Sequence, residues 1–246
     1  MKKTVLIGMP NTGKSTFFNK ISGASARVGN WPGITVDLSS IKTLINGEMT
    51  ELIDLPGIYN LNGYSEDEEV VINFIDNNKI DQVFFIMNST QIDRQLPLAI
   101  SIQKLGVPVI ILANMIDEAK ALGITFDFEQ MTKLLGCPVL PISAKYGQGL
   151  EKINNTINAP KKIKADLQAI DEQLLSQKIF DKTVNMPLIL NDKKTKLLDS
   201  IFLHPFFGIP IFLIIIFSKS GTILTSFTDI PHFEFNQFDI NAIFLS

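Results

Sequence analysis

Eight residues near the start of the chain constrain it most: Gly8-Met9-Pro10-Asn11-Thr12-Gly13-Lys14-Ser15. They spell G-x-x-x-x-G-K-S, a phosphate-binding loop that works only between a strand and the N-terminus of a helix. The glycines at both ends let backbone N–H groups close around phosphate oxygens, and the helix end adds a partial positive charge. Lys14 then reaches the β- and γ-phosphates, and Ser15 offers its hydroxyl to Mg²⁺. Around the loop the pattern agrees: Thr4 to Ile7 is a β-branched apolar run, and Lys14 to Ser22 reads as a helix. A strand–loop–helix start of this kind belongs to an α/β domain with a mostly parallel sheet.

The rest of the first 160 residues continues the alternation. Strands are expected at Val36 to Ile45, Met49 to Asp54, Gln82 to Met87, Val107 to Ala113 and Pro138 to Ile142. Helices are expected at Ser65 to Asn77, Asp93 to Leu105, Asp127 to Leu135 and Leu150 to Ile157, so both faces of the sheet are covered. Asn46-Gly47 between two strands is a hairpin signal, which makes Val36 to Ile45 an antiparallel edge strand.

Three more motifs follow the phosphate loop in order. Asp54-Leu55-Pro56-Gly57 closes the third strand: Asp54 is placed to hold Mg²⁺, and the N–H of Gly57 can approach a γ-phosphate because no Cβ intervenes. Asn114-Met115-Ile116-Asp117 follows an apolar strand. The Asp117 carboxylate can accept from the N1–H and exocyclic amine of guanine, a donor pair that adenine lacks. Ser143-Ala144-Lys145 ends the next strand and can supply a backbone N–H to the guanine O6. As isolated strings the first and last of these are a turn and a tripeptide; their order after a phosphate loop gives them meaning.

Composition bounds the alternatives. With 22 basic and 25 acidic residues the formal charge is −3, so no basic excess points to nucleic acid as a partner. The single cysteine, Cys137, excludes a disulfide framework within the chain and reads as a small buried hydrophobe. The two histidines, His204 and His232, stand too far apart for an obvious metal site, and His204 reads as a polar anchor at a membrane interface. Met1-Lys2-Lys3 and the short run after it stop at Gly8, too soon for a signal peptide, so the N-terminus is expected in the cytosol.

Beyond residue 160 the character changes. Residues 161–200 read as a short helical spacer, with Leu167, Ile170, Leu174 and Leu175 at helical spacing. Residues 201–217 are nearly all apolar and absorb much of the positive mean hydropathy of +0.22. A membrane-spanning helix needs about 20 such residues, range about 17 to 25, so this stretch is a short membrane-directed candidate. Lys193, Lys194 and Lys196 precede it, which puts that flank on the cytoplasmic side. Residues 218–246 carry no clean period and stay unassigned.

Taken together these motifs resemble the translation-factor-related, Ras-like P-loop GTPases, in the right order across residues 8–145. The string Asn30-Trp31-Pro32-Gly33-Ile34-Thr35-Val36 narrows this further, as does methionine at position 115: both look like the FeoB-type bacterial ferrous iron transporters. So does Lys196 to Phe212, which is similar to the approach to that family's first transmembrane helix. The resemblance implies a GTP- and GDP-binding, GTP-hydrolysing domain on the cytoplasmic face of the bacterial inner membrane. It also implies a chain shortened relative to the family, with the multi-helix permease supplied by a separate partner or the chain acting as a homo-oligomer. It implies Gly33, Ile34 and Thr35 as a first switch, Thr35 joining Ser15 and Asp54 at Mg²⁺, and Thr16 joining the nucleotide-binding set. Asn11, Lys14, Thr35 and Gly57 become the catalytic set.

Ile58 stands where many GTPases place a water-orienting glutamine, so slow intrinsic hydrolysis is expected. The resemblance suggests K⁺ as a remedy, held by Asn11 and the carbonyls of Gly29 and Trp31 and supplying positive charge in place of an arginine finger. On spacing alone Asn11 could equally cap its own turn, and Trp31 could simply staple the loop. Two readings from other classes stand beside this one: a soluble switch acting on ribosome or tRNA, and an inactive nucleotide-binding remnant.

Overall fold

The computed structural model describes residues 1–23, 27–29, 31, 37–45, 47–156, 171–187 and 210. The chain divides into two compact units, Met1–Asn191 and Asp192–Ser246. Of the second only Pro210 is described, so the apolar stretch 201–217 and the tail 218–246 lie outside the described residues, as do Gly33, Ile34, Thr35, Leu167 and Ile170. Among the described residues no helix is long and apolar enough to cross a membrane.

The first unit is built on a seven-stranded sheet. β1 (Lys2–Gly8) sits at its centre, parallel to β4 (Glu48–Asp54) on one side and β5 (Gln82–Asn88) on the other. β6 (Val109–Asn114) and β8 (Val139–Pro141) extend the parallel side, while β3 (Leu38–Ile45) and β2 (Arg27–Gly29) run antiparallel beyond β4. Every residue of β5 and β6 is buried, which is why both read as unbroken apolar runs: a central parallel strand has a helix layer on each face.

Alternation along the strands sorts the core into two layers. Val5, Ile7, Ile53, Phe85, Met87 and Ile111 share one apolar cluster with Phe74 of α2 (Glu66–Asn77), Leu96 of α3 (Ile92–Gln103) and Met131 of α5 (Phe128–Leu135). Leu6, Leu52, Phe84, Ile86 and Ile110 join the other, with Phe17 of α1 (Lys14–Ser22) and Ile153 of α6 (Leu150–Thr156). Local chemistry sets the helix starts. Ser65 caps α2 by accepting from Glu68 N at 3.3 Å, and Glu68 Oε2 accepts from Tyr64 N at 3.0 Å, a nearly reciprocal cap. Asp127 caps α5 in the same manner through Gln130 N at 2.8 Å.

Three details depart from the sequence expectations. β3 is not an edge strand, because the three-residue β2 pairs outside it; three residues are too few to show a period. A short helix, α4 (Ile116–Ala121), forms directly after Asn114-Met115 and carries Asp117. It leads to β7 (Thr125–Phe126), which pairs with β9 (Val184–Asn185) in a separate two-stranded ribbon. α7 (Glu172–Thr183) precedes β9 and packs on α3 and α5. Its buried side is Ile179 with Leu175 partly covered, whereas Leu174 is 71% exposed, so the buried stripe steps from Leu175 to Ile179 rather than through Leu174. Glu172 fastens its first turn to α3, accepting from Ser101 Oγ and pairing with Lys104 Nζ at 2.9 Å.

Candidate nucleotide site

The parallel strands deliver their C-terminal ends to one rim of the sheet, and each candidate motif leaves from that rim. Gly8 ends β1, and the turn after it bends through left-handed backbone at Asn11 (φ 63°) and Gly13 (φ 82°) before α1 begins. Thr12 is buried and its Oγ1 donates to Met9 O at 2.9 Å, which ties the loop into a ring. Glycine is required at 13 twice over: φ is positive, and a Cβ there would run into Asn114 Nδ2. Ser15, Thr16 and Asn11 remain exposed at the loop's open side.

Asp54 ends β4 beside β1, opposite Leu6 in the register. Its Oδ1 accepts from Lys14 Nζ, and the two groups are only 15% and 11% exposed. Burial pushes the Asp54 carboxyl above its ordinary value; the Lys14 ammonium and their hydrogen bond pull the other way and are outweighed. Gly57 lies against the phosphate loop, where a Cβ would come within 3.1 Å of Pro10 N and 3.2 Å of Pro10 Cα. Leu55 N donates to Leu6 O at 3.3 Å and Ile58 N to Gly8 O at 3.1 Å, so Asp54-Leu55-Pro56-Gly57 is sewn along the end of β1. Leu55 and Ile58 are both 1% exposed, and Pro56 is half-buried. Ile58 is thus committed to the core and turned to packing, not to water.

Asn114 at the end of β6 joins two loops. Its Nδ2 donates to Thr12 O at 2.9 Å and its Oδ1 accepts from Ala144 N at 2.8 Å, with the side chain 2% exposed. Met115 adopts left-handed backbone (φ 61°), and its Cε lies 3.4 Å from where a Cβ on Gly13 would be. The end of the methionine side chain therefore lies against the phosphate loop. Asp117 is half-buried in the first turn of α4 beside Ile116, whose N donates to Ile142 O at 3.3 Å. Ser143 is 1% exposed, exchanges backbone hydrogen bonds with Gln148 at 3.0 and 3.1 Å, and its Oγ has no protein partner. A buried hydroxyl left open at this rim fits a site that expects a polar ligand. Lys145 is exposed, with Nζ 5.2 Å from the centre of the Tyr146 ring.

The structure thus brings Gly8 to Ser15, Asp54 to Gly57, Asn114 to Asp117 and Ser143 to Lys145 to one rim. Gly29 ends β2 and is exposed. Trp31 turns away from solvent: its ring meets Phe74 edge-on at 5.1 Å, with Lys3 Nζ 5.2 Å above it. Sequence reasoning did not foresee Phe74 and Lys3 as the seat of that tryptophan, since neither shares a motif with it. Nor did it see that Asn114 bonds both loops, which only the strand order β1-β5-β6-β8 makes reachable.

A mostly parallel sheet with a Gly-Lys-Ser loop on its central strand and Asn-x-x-Asp and Ser-Ala-Lys loops beside it defines a P-loop domain of the GTPase fold. The family model described as Ferrous iron transport protein B matches residues 2–157, and the chain belongs to that family. The Fe(2+) transporter FeoB of Synechocystis sp. is 42% identical over 222 residues, 86% of this chain. That of Campylobacter jejuni is 33% identical over 226 residues, again 86% of this chain. The chain spans about a third of these relatives' length, 36% in both cases. Among solved structures, the cytosolic domain of L. pneumophila FeoB superposes with a TM-score of 0.65 at 25% identity, covering 75% of this chain and 100% of that one. A GDP-bound mutant of S. thermophilus NFeoB gives 0.61 at 28% identity, covering 82% and 71%.

Proposed function

We propose that this chain binds and hydrolyses GTP as the cytoplasmic part of a ferrous iron uptake system at the bacterial inner membrane. The observation that carries the reading is the Asn114 bridge: one buried amide fixes a phosphate loop and a base loop at the spacing a purine nucleotide would span. GDP in the S. thermophilus relative and the transporter name of the curated relatives support it.

In this reading the N–H groups of the loop from Gly8 to Ser15, with Thr16, hold the phosphates, and Lys14 neutralises them. Asp117 accepts from the guanine N1–H and amine, the Ser143-Ala144-Lys145 loop lies beside O6 with its Ala144 N–H held by Asn114, and Ser143 Oγ completes the polar rim. Met115 and Ile116 supply apolar contact beside the base. Ser15, Thr35 and Asp54 are hard oxygen donors suited to Mg²⁺, and Asn11 with the carbonyls of Gly29 and Trp31 is an oxygen set suited to K⁺. Bound there, the two cations would supply positive charge against the phosphate oxygens. Gly57, which lies against Pro10 of the phosphate loop, would offer its N–H to a γ-phosphate, and Gly33 and Ile34 lead into Thr35 in the first switch.

Since Ile58 is buried, no side chain at that position orients water, and turnover is slow unless K⁺ is present. Residues 1–160 form the GTPase part, 161–200 the linker, 201–217 the membrane-directed stretch and 218–246 a tail, with a permease partner or a second copy completing the assembly. Hydrolysis of GTP measured in KCl and in NaCl tests this: we expect at least about tenfold faster release of phosphate in K⁺. Equal rates would remove K⁺ from the account, and no hydrolysis in either would remove the enzyme.

A further inference from the structure

The Lys14–Asp54 ion pair sets two groups against each other that the nucleotide reading needs elsewhere. Lys14 opens α1 and belongs to the phosphates; Asp54 ends β4 and belongs to a divalent cation. Here the ammonium donates directly to Asp54 Oδ1, and both side chains are largely withdrawn from solvent. A cation seated on the carboxylate takes up the negative charge a metal would use. A carboxylate seated on the ammonium likewise takes up the charge a phosphate would use. Among the described residues no other side chain of opposite charge pairs with either group, so each ligand must displace the other group's partner to enter.

We propose that this pair is an autoinhibitory latch that makes nucleotide and divalent cation bind as a couple. A phosphate that draws off Lys14 exposes Asp54 to the cation, and a cation that takes Asp54 releases Lys14 to the phosphate. Each ligand therefore raises the other's affinity by the same factor, as linkage requires. This rests on the guanine-nucleotide reading and adds to it a role for Asp54 that is felt when no metal is present: it competes with the nucleotide for Lys14.

The test is a double-mutant cycle on GDP affinity, read with a fluorescent GDP analogue in EDTA on the full chain. Removing a negative charge near phosphates helps binding in any protein, so Asp54→Asn alone does not decide the matter. The latch predicts that Asp54→Asn tightens GDP in EDTA at least about threefold more with Lys14 present than in the Lys14→Met background. A smaller ratio, or weaker binding by Asp54→Asn in EDTA, overturns the latch. If the Lys14→Met proteins bind GDP too weakly to titrate, Mn²⁺ binding to the nucleotide-free protein replaces that arm. Lys14→Met is then expected to bind Mn²⁺ at least about threefold more tightly than Lys20→Met, which removes the same charge from the same helix without touching Asp54, and equal binding by the two variants overturns the proposal. The parent protein with GDP and Mg²⁺ is the control for the underlying reading: no binding there sinks that reading and the latch with it, whereas binding without coupling sinks the latch alone.

Discussion

Asn114 and Asp117 sit three positions apart and do different things. Asn114 is engaged by the protein itself: its Nδ2 donates to Thr12 O and its Oδ1 accepts from Ala144 N inside the rim. Asp117 is half-buried in the first turn of α4, and in the proposed reading its carboxylate reads the base. A carboxylate offers acceptors only, which matches guanine; an amide offers one acceptor and one donor, which matches xanthine, whose C2 carries oxygen in place of the amine. Asp117→Asn should therefore weaken GDP by about 10²-fold or more and bring XDP to comparable or tighter binding, read by competition against a fluorescent nucleotide. Unchanged GDP affinity in that variant would remove Asp117 from the base site. Such roles were legible in the sequence because the residue types carry the chemistry wherever the chain goes. What the string Asn-Met-Ile-Asp does not reveal is that the asparagine is held by the protein itself, since that depends on Thr12 lying within reach across 102 residues.

At the scale of elements, Trp31 meets α2 through an aromatic contact with Phe74. Phe74 is fully buried in the core layer beneath that ring, and Lys3 covers its other side. Phe74→Ala removes a large buried ring and should cost about 3–5 kcal/mol in urea unfolding. It also leaves Trp31 without its edge-on partner. Because Trp31 is the chain's single tryptophan, its emission in the folded variant should shift to longer wavelength. An unshifted emission would mean that Trp31 is held by something other than Phe74. The major strands and helices were legible because apolar periods of two and of three to four run long enough to count in them. β2, β7, β9 and α4 were not, being two to six residues long. The α7 stripe was misplaced by one residue for a related reason: Leu174 and Leu175 are equivalent in composition, and only packing against α3 and α5 selects between them.

For the molecule as a whole, Cys137 reports on the integrity of the first unit. It is 3% exposed and accepts from Gln103 Nε2 at 3.0 Å, which links the start of β8 to α3. Burial pushes its thiol up from 9.0 to about 12. The folded value lies above the unfolded one, so the contribution to stability is fully present below pH 9 and is lost as pH rises towards 12. At pH 8 the native protein should resist alkylation by iodoacetamide, with one thiol reacting once urea unfolds it. Rapid modification of the native protein would show that β8 and α3 do not close over it. Parallel order, two core layers and a rim of loops all followed from strand–helix alternation around a phosphate loop. On the antiparallel side the β3–β4 hairpin followed as well, but the outer strand β2, three residues paired to β3, did not.

The central claim is that the rim holds a guanine nucleotide through Asp117 and the phosphate loop together. Calorimetric titration of the protein with GDP and with ADP, both in Mg²⁺, addresses it most directly. Binding of GDP with ADP at least about 10³-fold weaker is the expected result, because adenine leaves the Asp117 carboxylate without its donor pair. Equal affinity for the two nucleotides, or binding of neither, would contradict the account.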